Sequence, residues 1–80
     1  MEAPSTLQSA AAEDEDIAIT RRDVDGQTVI VVDFGEQVDA KLDVVGDTAI
    51  VVAGDRQFEF EVTDEVTDLS VNDGMLTLRS

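Results

Sequence analysis

Residues 41–62 read KLDVVGDTAIVVAGDRQFEFEV, and this stretch decides the fold class. In its first part Leu42 and Val44 alternate with Lys41 and Asp43, which is the period of a β-strand with one face buried and one face in water. A Gly-Asp pair then interrupts the apolar residues twice, and this pair suits the two-residue turn of a β-hairpin. The stretch therefore predicts an antiparallel meander of three strands, at about 38–45, 48–53 and 56–62.

The period of two continues on both sides of the meander. Upstream, Asp25-Gly26 separates two apolar runs and offers the positive φ angles of a type I′ hairpin. Downstream, a polar stretch at 63–68 precedes a last pair of short apolar runs around Asn72-Asp73-Gly74. No helical period appears from Ile17 onward, so the domain is predicted to be all-β, a compact seven-stranded immunoglobulin-like β-sandwich. The remaining strands are expected at about 17–23, 27–34, 69–71 and 75–79.

Residues 1–16 differ from the rest of the chain. They read MEAPSTLQSAAAEDED, with five acids, no base, and only Met1 and Leu7 as large apolar residues. The alanines favour a helix, but so short a helix is marginal in water and shows no apolar face for docking. We therefore predict a disordered acidic tail at 1–16 and a folded domain at 17–80.

The chain is strongly acidic, with 19 Asp and Glu against 5 Lys and Arg and a net charge of −14 over 80 residues. Twelve Val, four Ile and five Leu are more branched aliphatic residues than a disordered chain carries. A small aliphatic core, many acids and a single lysine, Lys41, are typical of a protein adapted to molar salt. The alternative is an acidic surface that binds a basic partner.

The composition excludes most familiar chemistry. With no Cys and no His, the chain lacks thiolate nucleophiles, disulfides, the usual general base and the usual zinc ligands. The two Asp-rich turns do not fit a calcium loop, because its first ligand position falls on Arg21 or on Leu69. Carboxylates such as Asp43 and Glu59 are expected on the wet faces of strands, where nothing buries them for acid–base work. We expect no enzyme, no catalytic residues, no metal and no cofactor.

The basic residues and apolar runs of the sequence limit the possible partners and location of the protein. The only adjacent basic pair, Arg21-Arg22, is followed by Asp23 and Asp25, so we expect no nucleic acid as a partner. The longest apolar run, 49–53, is far below the roughly 20 residues of a membrane span. With no leader-like N-terminus, the protein is predicted to be soluble and cytoplasmic, without a membrane partner.

The segment from Asp16 to Arg79 resembles the alpha-crystallin domain of the small heat-shock proteins. Residues 41–56 are similar to the family's strand, tight turn, strand and closing Gly-Glu/Lys-Arg. Residues 71–78, VNDGMLTL, look like its Asn/Asp-Gly-Val-Leu-Thr-Val signature, and VDFG at 32–35 stands where the family commonly has Asp-Leu-Pro-Gly. Compared with the family, this sequence lacks the long loop with an exchanged strand, the long N-terminal arm and a C-terminal Ile-x-Ile tail. We therefore expect a monomer or a weak dimer.

The resemblance implies a site and a function. Strands one, two, seven and six would form one sheet and strands three, four and five the other, so that strands three and six are edges on the same side. Their apolar side chains would line a groove for an extended peptide, unless they simply belong to the core. The implied function is a stress-response chaperone that holds partly unfolded protein clients. The alternative is a non-catalytic adaptor that docks one protein partner on a sheet edge, as alpha-crystallin-like accessory proteins of gas vesicles do. The predicted groove residues are Leu42, Val44, Leu69 and Val71.

Overall fold

The structure is a computed structural model that describes residues 1–35 and 37–80. One helix precedes seven strands, and these correspond one by one to the seven strands predicted from the sequence. Strand ends fall within two residues of the predicted ones, because apolar alternation and turn residues mark them locally. The elements are α1 (Ser5–Glu13), β1 (Ala18–Val24), β2 (Gln27–Asp33), β3 (Ala40–Val45), β4 (Thr48–Ala53), β5 (Arg56–Glu61), β6 (Asp68–Asn72) and β7 (Met75–Arg79).

The strands form two antiparallel sheets. One has the order β1-β2-β7-β6 and the other the order β3-β4-β5, which is the arrangement that the resemblance implies. The radius of gyration is 11.8 Å, close to the value of about 11.6 Å for a compact chain of this length. The prediction of a compact, mainly β protein with seven strands is therefore confirmed.

Two of the hairpins use the same turn chemistry. Asp25 and Gly26 have φ angles of 51° and 80°, and Asp73 and Gly74 have φ angles of 52° and 75°. Positive φ at both central residues is the type I′ turn, whose twist matches that of the flanking strands. These two Asp-Gly pairs therefore fix the registers in which Val24 faces Gln27 and Asn72 faces Met75.

The core lies between the two sheets. Central strands supply most of it, because alternate residues of β2, β7 and β4 face inward and are buried. The rings of Phe34 and Phe58 stack with their centroids 5.7 Å apart, which joins the loop after β2 to the middle of β5. Each fully buried aliphatic side chain contributes about 1.5–3 kcal/mol. The fully buried large ones are Leu7, Ile30, Val32, Val51, Leu76 and Leu78.

The prediction of a disordered tail at 1–16 is wrong for its central part. Ser5–Glu13 form α1, which packs on β5 and β1, with Leu7 0% and Ala10 4% exposed. These two residues are three apart and therefore share one helix face. Burial of that face on the open side of the sandwich supplies the stabilisation that a nine-residue helix lacks in water. Just after the helix, the Asp14 carboxylate accepts a 2.8 Å hydrogen bond from Arg56, whose guanidinium lies 4.9 Å from the Phe58 ring centre.

Candidate functional site

The two sheets leave two lateral sides, and among the described residues a helix covers one of them. On one side the edge strands β1 and β5 are covered by α1. On the other side the edge strands β3 and β6 contact each other directly. No helix lies over that second side in the part of the chain that the structure describes. We call these two strands and their free edges the β3/β6 side.

The free edges offer main-chain hydrogen bonds. Within the described residues, β3 pairs only with β4, and β6 only with β7. One edge of each strand therefore carries amide and carbonyl groups that no neighbouring strand uses. An extended segment can add to such an edge as a further strand, with alternate side chains entering apolar pockets.

All four residues predicted to line the groove come to the β3/β6 side, but they differ in exposure. Leu42 faces Val51 across the β3–β4 ladder and is half-buried. Leu69 and Val71 are half-buried and pack against the core. Val44 is 48% exposed and is the one of the four that stands largely in solvent. Three of these side chains therefore also serve the core, and Val44 offers most of the accessible apolar contact.

An open cleft of about 660 Å³ lies at the end of this side where β3 begins. Its walls are the segment before β3 and the β6–β7 turn, and Val71 is the one predicted groove residue that lines it. Two of its lining residues, Asp39 and Asp73, carry carboxylates. The position of these two carboxylates depends on how two distant segments of the chain pack together, and no sequence period predicts that packing. The full lining is Gln37, Val38, Asp39, Ala40, Val71, Asn72, Asp73, Gly74 and Met75.

Gly74 holds the two walls of this cleft together. The Phe34 amide donates a 3.0 Å hydrogen bond to the Gly74 carbonyl, and the Asp33 carboxylate accepts one of 2.8 Å from the Gly35 amide. A Cβ at position 74 would lie 2.7 Å from the Gly35 carbonyl oxygen and 2.9 Å from that of Val38. Both distances are too short for a real contact, so this turn needs glycine for space as well as for its positive φ.

The charges around the site are acidic and unneutralised. The described residues contain three ion pairs, and none of them involves Asp39, Asp43 or Asp73. Lys41 is the one base on β3 and has no acid within 4.0 Å among the described residues. Nor do these residues contain a cluster of three or more potential metal ligands. The site thus combines main-chain edges, small apolar side chains and carboxylates, which suits an extended segment that carries apolar residues and a basic residue.

Comparisons with known proteins place the chain in a family without assigning an activity. In the described residues, no helix has both the length and the hydropathy needed to cross a bilayer. Neither the curated proteins nor the solved structures contain a significant match to the chain. Residues 1–80, however, match one protein family over their whole length. The chain therefore belongs to the family of unknown function DUF7127.

Proposed function

We propose that this chain is a small heat-shock-protein-like module with an immunoglobulin-like sandwich of alpha-crystallin type, acting in the cytoplasm of a high-salt cell. It holds extended segments of partly unfolded proteins along the β3/β6 side. The observation that carries the proposal is the pair of edge strands, β3 and β6, that lie side by side without a covering element while α1 covers the opposite side. The strand order supports it as well, since it is the order implied by the resemblance.

The binding would use the backbone more than the side chains. Partly unfolded proteins share unpaired amides and exposed apolar residues, whatever their sequence. An edge strand supplies main-chain partners to any such segment, and Val44 on β3 and Val71 on β6 supply apolar contact. Selectivity of this kind is broad, as holding of many clients requires.

Suppression of aggregation tests the proposal. A heat-labile protein that is folded in about 2 M KCl is heated with the chain, and light scattering is followed. We expect suppression at a near-stoichiometric ratio, weakened at least about fivefold by Val44→Asp because a charge on the edge opposes apolar contact. The matched control is Val45→Asp, on the same strand but facing outward and 62% exposed. No suppression at about tenfold excess, with the domain still folded, would refute holding.

A second function, an adaptor for one protein partner, is favoured by the cleft. Carboxylates of Asp39 and Asp73 in its lining would select a segment with a basic residue at one position, which is specific rather than broad recognition. An adaptor would fail to protect unrelated heat-labile proteins. It would instead retain a single partner from the native cytosol at native salt, and Asp39→Asn would weaken that retention.

A further inference from the structure

The outward face of the four-stranded sheet differs in charge from the rest of the molecule. Residues that alternate with the buried Ile30, Val32, Leu76 and Leu78 point away from the core and form three rows across the sheet, with the pair Val24 and Gln27 beyond them on β1 and β2 alone. We call this surface the balanced face. Its rows are Ala18, Asp33, Met75 and Asn72; Thr20, Val31, Thr77 and Ser70; and Arg22, Val29, Arg79 and Asp68.

Acids and bases cancel on the balanced face. It carries two arginines and two aspartates, and its middle row is uncharged, although the chain as a whole has a net charge of −14. Its arginines are two of only five bases in the chain. The outward face of the three-stranded sheet has no such balance, since Lys41 stands there against Asp43, Glu59 and Glu61. Met75, 38% exposed, adds an accessible apolar side chain to the balanced face.

We infer that the balanced face docks a second copy of this chain in a two-fold dimer. Two chains of this net charge repel each other when acidic surfaces meet. The balanced face carries no net charge, so two balanced faces can meet without this repulsion. The pattern is also self-complementary. A two-fold axis along the strands places β1 of one copy over β6 of the other, and therefore Arg22 over Asp68.

The size of the face makes the dimer weak. Four strands about 4.8 Å apart and three rows about 6.7 Å apart cover roughly 400 Å² on each copy. Stable complexes bury about 800 Å² on each partner. The dimer is therefore expected at high protein concentration and in molar salt, where the repulsion between the two acidic chains is screened.

Sedimentation velocity of the whole chain over a concentration series tests this inference. In about 2 M KCl the sedimentation coefficient should rise with concentration, and the association should weaken at least about tenfold in 0.1 M KCl. Val31→Lys should weaken it at least about tenfold, because the contact would bury an unpaired ammonium group in the uncharged middle row. If Val31→Lys lowers the Tm of the domain, Thr20→Lys, at an exposed edge position in the same row, replaces it as the test variant.

The matched control is Val45→Lys, which puts the same charge on the outward face of the other sheet and should leave the association unchanged. A chain that stays monomeric at about 1 mM in 2 M KCl overturns the inference. An equal loss of association in Val31→Lys and Val45→Lys overturns it as well. Loss of association in Val44→Lys alone also overturns it, because the contact would then lie on the β3/β6 side. A monomeric chain, or equal loss in Val31→Lys and Val45→Lys, leaves holding of clients untouched, because holding rests on β3 and β6.

Discussion

Replacing Leu7 by alanine tests whether α1 belongs to the folded domain. The Leu7 side chain is 0% exposed and is among the large side chains that are fully buried, although it lies in the segment whose sequence favours disorder. If α1 is docked as the structure shows, this substitution removes a core residue. If residues 1–16 are mobile, it removes nothing.

The expected loss follows from the atoms removed. Leucine to alanine deletes three buried carbon groups, worth roughly 2.4 kcal/mol at about 0.8 kcal/mol each. The cavity left behind adds to this, but α1 lies at the margin of the core and can shift to fill part of it, so we expect a total near 2.5 kcal/mol. For 80 residues the entropy of unfolding is about 0.17 kcal/mol/K. The Tm should therefore fall by about 15 °C.

Thermal unfolding followed by circular dichroism in about 2 M KCl measures this change. The control is Thr6→Ala, at the exposed neighbouring position of the same helix, which should change the free energy of unfolding by less than about 0.5 kcal/mol. A Leu7→Ala protein that melts within about 3 °C of the parent would show that Leu7 is not in the core. The helix would then be undocked in solution.

Three further predictions concern the cleft, the ion pair and the charge. Gly74→Ala should lower the free energy of unfolding by about 2–4 kcal/mol, because positive φ is combined with carbonyl oxygens 2.7 and 2.9 Å from the new Cβ. The control, Gly26→Ala, lies in the same turn type with nothing within 4 Å of the new Cβ and should lower it by about 1 kcal/mol. Equal losses in the two variants would argue against the close approach at Gly74. Arg56→Gln should cost about 1 kcal/mol, since its pair with Asp14 is partly solvated, and should speed amide exchange in α1, whereas Arg22→Gln should not. Raising KCl from about 0.05 M to 2 M should raise the Tm by more than about 10 °C, because the net charge of −14 is self-repelling; an unchanged Tm would count against salt adaptation.

The sequence predicts the strands well because their signals are local. Alternation of Leu42 and Val44 with charged residues marks β3, and the φ angles at Asp25-Gly26 follow from the residue types alone. It does not predict α1, because a helix of nine residues depends on tertiary burial. Leu7 and Ala10, three residues apart, are the one signal of its buried face, and alanine is compatible with either side of a helix.

The sequence likewise predicts one part of the candidate site and not the other. Leu42, Val44, Leu69 and Val71 could be assigned to one side of the molecule, because the resemblance implies which strands are edges and alternation decides which face a residue occupies. The cleft could not be predicted. It exists because the loop after β2 packs on Gly74, a contact between segments about 40 residues apart that no local pattern encodes.

An amide chemical-shift titration is the sharpest test of whether the β3/β6 side binds an extended segment. The probe is an Ile-x-Ile peptide added to the whole chain in about 2 M KCl. We expect shifts confined to residues 38–45 and 68–72, weakened by Val44→Asp and retained in Val45→Asp. No shifts at about millimolar peptide, or shifts centred on α1 or on the outward face of either sheet, would contradict it.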